Sequence, residues 1–302
     1  MPKLYKVFFI ISLVLIAVSL GLFLIYGLNL GIDFTGGSLL EIKSGKLEIG
    51  EAREILVGLK INNAAVSQTE DGFLIKMPEI SETEHQQILI ELRKFDEIEE
   101  KRFDSIGSVL GSELKTKSIT AIIIALILIS LYLAVVFSKV GGTINPLVLA
   151  LGAIVALLHD LLLPIGVFAW LGEFKGVAID APMIAAALAI LGYSINDTVV
   201  VYDRIRENII KHNANMRINA NDANKFSGIV HKSIKQTLVR SINTTLTTLF
   251  AIIAIYLFGG PTLKNFSLAL IIGIASGAYS SIFVASPILM FFYRIKGDNR
   301  GA

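Results

Sequence analysis

The residues best suited to chemistry in this sequence are Asp197 and Arg240, two ionisable side chains that interrupt long apolar stretches. An ionised group inside lipid is unfavourable by several kcal/mol unless paired or hydrated, so such residues mark ion or proton pathways. Asp197 lies 17 residues beyond Asp180, which at about 1.5 Å per residue puts it about 25 Å from the outer end of its helix. Arg240 lies 19 residues before Gly259, about 28 Å from the outer end of the next helix. The two share a depth in the cytoplasmic half and are placed to pair.

Tyr193 and Ser194 precede Asp197 by four and three positions on its face, and Asn243, Thr244 and Thr247 continue the face of Arg240. With Asn196 these residues form a candidate proton pathway. An aspartate whose arginine partner approaches or leaves can couple proton movement to helix motion. A static pair, or an arginine that snorkels to the interface, is the alternative. His159-Asp160 is a second polar cluster or, equally, a structural pair near mid-membrane.

Other chemistries find little support. A metal site is not expected, since there are four histidines at no ligand spacing and no cysteine. Gly31-Ile32-Asp33-Phe34-Thr35-Gly36-Gly37 lacks the Gly-Lys-Ser/Thr ending of a phosphate-binding loop and reads as a tight structural exit from the membrane. The serines lie mainly on packing faces with no nucleophile elbow, so no enzyme is expected. Gly273-x-x-x-Gly277, with Ser276, Ser280 and Ser281 nearby, reads as a helix-packing face.

The elements that position these residues follow from composition. A chain of 302 residues that is 54% hydrophobic and 17% charged, with a mean hydropathy of +0.69, is too apolar for one water-soluble core. Uncharged runs of membrane-spanning length are Val7 to Ile32, Ser118 to Phe137, Val140 to Leu158 with a continuation to Gly172, Ala181 to Asn196 with a continuation, Ser241 to Leu263, and Asn265 to Tyr293. These give six spans. Lys3 and Lys6 precede a run too long for a signal-peptide core with no small-residue cleavage site after it, so the first span is expected to stay uncleaved. Basic residues crowd the loop holding Arg204, Arg206, Lys211, Arg217, Lys225, Lys232 and Lys235, and Lys139 and the C-terminus add more. The opposite short loops hold only Lys175 and Lys264, so both termini are expected in the cytoplasm.

The segment between the first two spans is a folded domain. From Leu28 to Lys117 it carries 17 acidic and 11 basic residues, a balance that argues against nucleic acid as a partner. Without cysteine it must fold through its own core. Its pattern is strand Ser38 to Lys43, helix Ile49 to Leu59, strands Ala65 to Thr69 and Phe73 to Met77 around Glu70-Asp71-Gly72, a helix capped by Ser81 with Glu84, and strand Ile98 to Phe103. That β-α-β-β-α-β order predicts a ferredoxin-like domain.

The expected fold is therefore a membrane all-α six-helix bundle with one small α+β ferredoxin-like external domain. Its parts are residues 1–27 (first span), 28–117 (external domain), 118–138 (second span), 139–202 (third and fourth spans), 203–239 (cytoplasmic loop), 240–294 (fifth and sixth spans) and 295–302 (cytoplasmic tail). Asparagine and alanine dominate Lys211 to Lys225, which reads as a mobile linker.

Taken together the motifs resemble the SecF family of bacterial protein-export proteins. The resemblance rests on Gly31 to Gly37, Ala156-Leu157-Leu158-His159-Asp160, the run Gly192 to Asn208 through Asn196-Asp197-Thr198, Gln236 to Arg240, Tyr256 to Gly260, and Tyr279 to Pro287. It covers nearly the whole chain. It implies a proton-driven protein of the resistance-nodulation-division superfamily in the bacterial inner membrane, with SecD supplying the other half of a twelve-helix unit. It further implies an accessory role with the SecYEG channel and the SecA motor, in which the proton gradient helps draw exported preproteins outward, with no cofactor besides that gradient. By position, Asp197 and Arg240 match the family's proton-pathway residues. The loop between them is longer than the family pattern. A small-molecule exporter on the same half-fold, and a scaffold subunit that handles no protons, are the alternatives.

Overall fold

The structure is a computed structural model that describes residues 3–61, 63–69, 71–137, 146–215 and 223–298. Its elements are α1 (Lys3–Tyr26), α2 (Ile32–Thr35), β1 (Gly37–Lys43), α3 (Ile49–Gly58), β2 (Ala65–Gln68), β3 (Gly72–Met77), α4 (Glu82–Leu92), β4 (Glu99–Ile106), α5 (Ser108–Val136), α6 (Pro146–Lys175), α7 (Ala181–Asn215), α8 (Ala223–Phe258), α9 (Pro261–Ser280), a π-helical turn (Ser281–Ala285) and α10 (Ser286–Asp298). Six stretches among the described residues are long and apolar enough to cross a membrane: Lys3–Tyr26, Ser108–Val136, Pro146–Lys175, Ala181–His212, Lys225–Phe258 and Leu263–Tyr293. The chain divides into a helical unit and a second unit made of Asn29–Thr120 with Gly172–Ala181.

In the second unit four antiparallel strands form one sheet in the order β2-β3-β1-β4. Alternation along β1 and β3 sends Leu40, Ile42, Phe73, Ile75 and Met77 inward, where they meet Ala52 and Leu56 of α3 and Ile88, Leu89 and Leu92 of α4. The predicted capping box holds: the Ser81 hydroxyl accepts from Glu84 N at 3.3 Å, and Glu84 accepts from Ser81 N at 2.7 Å. Glu70 of the predicted turn lies outside the described residues, and Thr69 N donates to Gly72 O at 2.8 Å across that turn.

In the helical unit the core gathers Tyr5, Leu133, Phe137, Leu149, Tyr202, Phe226 and Leu289. From Asp203 to Val239, a stretch expected as a cytoplasmic loop, every described residue is helical, because α7 runs on to Asn215 and α8 begins at Ala223. The cause is an apolar stripe hidden among charges. Ile205 and Ile209, then Phe226, Val230 and Ile234, recur every fourth residue and are buried. Glu207 adds ion pairs to Arg204 and, at 2.6 Å, to Lys211. Of the predicted mobile linker, residues 216–222 lie outside the described residues, as does Lys139.

One turn of the second unit depends on a single acid. Asp96 accepts from the Ser44 hydroxyl at 2.6 Å and from Gly45 N and Lys46 N at 2.8 Å each, which holds its carboxyl well below the usual carboxylate range. A depressed folded-state value stabilises the fold above the unfolded value, near pH 4, and that stabilisation fades as pH falls further. Hydrogen-exchange protection over residues 44–47, taken relative to the intrinsic amide rate at each pH, should therefore fall below about pH 4 in the wild type. In Asp96→Asn that protection should be low and flat with pH.

Candidate functional site

The glycine-rich exit is built by close approach. Gly36 and Gly37 have φ of +72° and +117°, and a Cβ on either would meet Ser108 Cα at 2.5 Å or Met77 O at 2.7 Å. A Cβ on Gly31 would collide with the Asp180 carboxylate. Phe34 is buried in the single turn of α2. Asn29 to Gly31 pair with the segment before α7: Ile179 N donates to Asn29 O and Gly31 N to Ile179 O, both at 2.8 Å. Asp33 then accepts the Ala181 N–H at 2.7 Å, so the first amide of α7 is capped by a carboxylate 148 residues earlier. Burial pushes the neighbouring Asp180 carboxyl above its ordinary range; Asp33 and Asp104 add to this, and Lys76 and Arg102 oppose it.

In the helical unit, His159 and Asp160 lie in the middle of α6, both 0% exposed. The Asp160 carboxylate collects donors from three helices. Ser276 Oγ reaches Oδ1 and Ser280 Oγ reaches Oδ2, each at 2.6 Å, from α9, and Ser194 donates to Oδ2 from α7. His159 Nδ1 lies 2.9 Å from Oδ1 and 3.2 Å from Ser276 Oγ, and its ring stacks on Tyr279 at 6.0 Å. Small residues permit this convergence. A Cβ on Gly277 would sit 3.0 Å from Ser194 Cβ, and one on Gly273 would strike Ile190. Pro164, inside α6, has no N–H for the Asp160 carbonyl four residues back, which leaves the backbone at that site short of one bond.

Asp197 is 3% exposed, and Thr245 Oγ1 of α8 donates to its Oδ2 at 3.4 Å. Arg240 is exposed and forms no ion pair with Asp197 among the described residues. It lines a cleft of about 410 Å³ with Phe137, Val200, Asp203, Arg204 and Glu207. Asn196 is exposed, and the Tyr193 hydroxyl is buried without a hydrogen-bond partner among the described residues, as is Thr198 Oγ1. Of the predicted pathway, the structure thus sends Ser194 to Asp160, keeps Asp197 buried, and leaves Asn196 and Arg240 on the surface of the unit.

Two matches to family models decide the lineage. One, described as "Protein export membrane protein SecD/SecF, C-terminal", covers residues 87–295, and "SecD/SecF GG Motif" covers residues 21–46. The chain belongs to the SecD/SecF family. It is 40% identical over 298 residues to the protein translocase subunit SecF of Thermobaculum terrenum, covering 94% of this chain and 90% of that one. It is 35% identical to that of Sebaldella termitidis, covering 97% and 92%. The crystal structure of SecDF, a translocon-associated membrane protein from Thermus thermophilus, superposes with a TM-score of 0.81 at 31% identity. That match covers 95% of this chain but 38% of the longer one.

Sequence reasoning missed the partners that geometry supplies. Ser276 and Ser280, four apart on one face of α9, stood out as packing residues, and their role as donors to Asp160 needed the third dimension. The Asp33 cap left no local signal at all. Asp33→Ala should release the Ala181 amide, and loss of such a cap costs about 1 kcal/mol. Hydrogen exchange in peptides spanning residues 172–182 should then quicken roughly fivefold, while exchange in β1 and β3 stays unchanged.

Proposed function

We propose that this chain is a proton-motive-force-coupled accessory subunit of the Sec translocase, acting with SecD to promote export of unfolded preproteins through the SecYEG channel driven by SecA. It would do so as a transport subunit rather than an enzyme, in the inner membrane with both termini cytoplasmic. Family membership and the names of its relatives support the export role.

The observation that carries the proton-coupled part is a polar stripe on an apolar helix. Arg240, Asn243, Thr244 and Thr247 of α8 are exposed, as is Asn196 of α7 beside the buried Asp197. Thr244 and Thr247 return their hydroxyls to Arg240 O at 3.0 Å and Asn243 O at 2.9 Å and so tolerate lipid. Among the described residues Arg240, Asn243 and Asn196 show no such side-chain hydrogen bond, which favours a protein neighbour. A second half-bundle bearing an acid suits that demand, and SecD is the natural source. When Arg240 swings toward Asp197 the carboxylate is favoured, and when it turns to the partner's acid the proton is, so helix motion and proton passage become one event. The external domain, built on a sheet of four antiparallel strands, would act on the emerging chain.

Asp197→Asn and Arg240→Met should each reduce gradient-dependent export to the level seen without the subunit, while SecD still co-purifies. Export assays on inverted vesicles with and without a proton gradient measure this; wild-type export in both variants would leave the scaffold reading.

A further inference from the structure

We infer that His159 and Asp160 form a second one-proton site, distinct from Asp197, whose occupancy sets how firmly α6 holds α7 and α9. Its use in transport rests on the proton-driven reading above; the site itself rests on geometry.

A fully buried carboxylate needs its charge answered. Among the described residues Asp160 has no lysine or arginine within ion-pairing distance, and its only ionisable neighbour within that distance is His159. Three serine hydroxyls and His159 Nδ1 fill its acceptor positions. With Nδ1–H donated to Oδ1, the imidazole is neutral and its other nitrogen, Nε2, keeps a lone pair. That Nε2 is buried and has no hydrogen-bond partner among the described residues. One proton taken up there turns a lone carboxylate into a carboxylate–imidazolium pair of zero net charge, and no bond between heavy atoms forms or breaks. Facing groups from the other elements are few. From α9 these are Ser276, Ser280 and Tyr279, whose hydroxyl is committed to Phe8 O at 2.6 Å. From α1, Ser12 donates to Tyr279 Oη at 3.1 Å. From α7 they are Ser194 and, three residues on, Asp197.

That last spacing gives the site its connection. Residues three apart on a helix have Cβ atoms about 5–6 Å from one another, so Ser194 stands between the two acids. A lone carboxylate binds its three hydroxyls more tightly than one whose charge is answered by an imidazolium, so proton arrival on His159 loosens the serine contacts from α7 and α9 together.

The test uses the full chain in lipid nanodiscs with ¹⁵N-labelled histidine, the His159 signals being assigned by their loss in His159→Gln. As pH falls from about 9 to about 5 the Nε2 signal should pass from unprotonated to protonated. Asp160→Asn should lower the proton affinity of His159 by roughly tenfold or more. Ser280→Ala should raise it, since a carboxylate with one donor fewer draws the proton more strongly. A merely structural cluster would not give shifts of opposite sign, and the Ser280→Ala arm decides alone if Asp160→Asn fails to fold. A His159 signal that holds one tautomer across the range, or the two variants shifting together, overturns the inference even where Asp197→Asn abolishes export. Titration as described with normal export in Asp197→Asn would instead defeat the proton-driven reading and leave the site standing.

Discussion

The Asp160 carboxylate, fully buried and ringed by donors, is the constraint around which the helical unit is organised. A lone buried charge is tolerated only when its hydrogen-bonding capacity is filled, and α6 by itself offers only His159. The remaining donors must come from other helices at specific heights. Ser194 fixes α7 against α6, and Ser276 and Ser280, one turn apart, fix α9. Apolar packing between spans is largely indifferent to sliding, because lipid tails compete equally well for an apolar side chain. A buried acid with three assigned donors is not indifferent, and it sets the register of three helices at once.

The small residues follow from that requirement. Donors as short as serine reach the carboxylate only if the helix axes lie close, and Gly277 opposite Ser194 and Gly273 opposite Ile190 remove the side chains that would hold α9 away. Just beyond, the π-helical turn Ser281–Ala285 sits before Pro287, whose ring nitrogen has no hydrogen to give to the preceding turn. The wider turn absorbs that missing bond, and Ser286 Oγ closes onto Ser281 O at 3.0 Å. Pro164 and Pro287 thus lie within about two turns of the acid cluster, where departures from regular helix are most useful.

Much of this architecture was legible because its signals are local. Charge boundaries marked six spans, Ser81 with Glu84 marked the start of α4, and alternation marked β1 and β3. What escaped was carried by distance or by angle. Asp33 and Ala181 are 148 residues apart, and nothing near either announces the other. Ser194 and Asp197 share a helix face by the usual criterion, yet three residues leave about 60° between them. That is enough for one to serve Asp160 and the other to meet Thr245. From Asp203 to Val239, charged residues interleave with apolar ones and mask a stripe of isoleucine, valine and phenylalanine at every fourth position.

Surface chemistry separates the faces of the helical unit by what must cover them. Leu13, Val14 and Val18 of α1 and Ile123, Ile127 and Leu131 of α5 are exposed and wholly apolar, and hydrocarbon satisfies them without further structure. The face of α8 that bears Arg240 and Asn243 is exposed as well, and hydrocarbon cannot satisfy it. If that face met lipid, selection for stability alone would favour leucine at both positions. An arginine there is satisfied by reaching the interface or by a second protein surface that supplies acceptors, and Asn243, with its short side chain, favours the second. The mixture of a lipid-compatible side and a lipid-incompatible side on one bundle is therefore an argument for an incomplete unit. Among the described residues Asp197, already shielded within this chain, forms no ion pair with Arg240, which leaves the arginine open to acceptors from outside it.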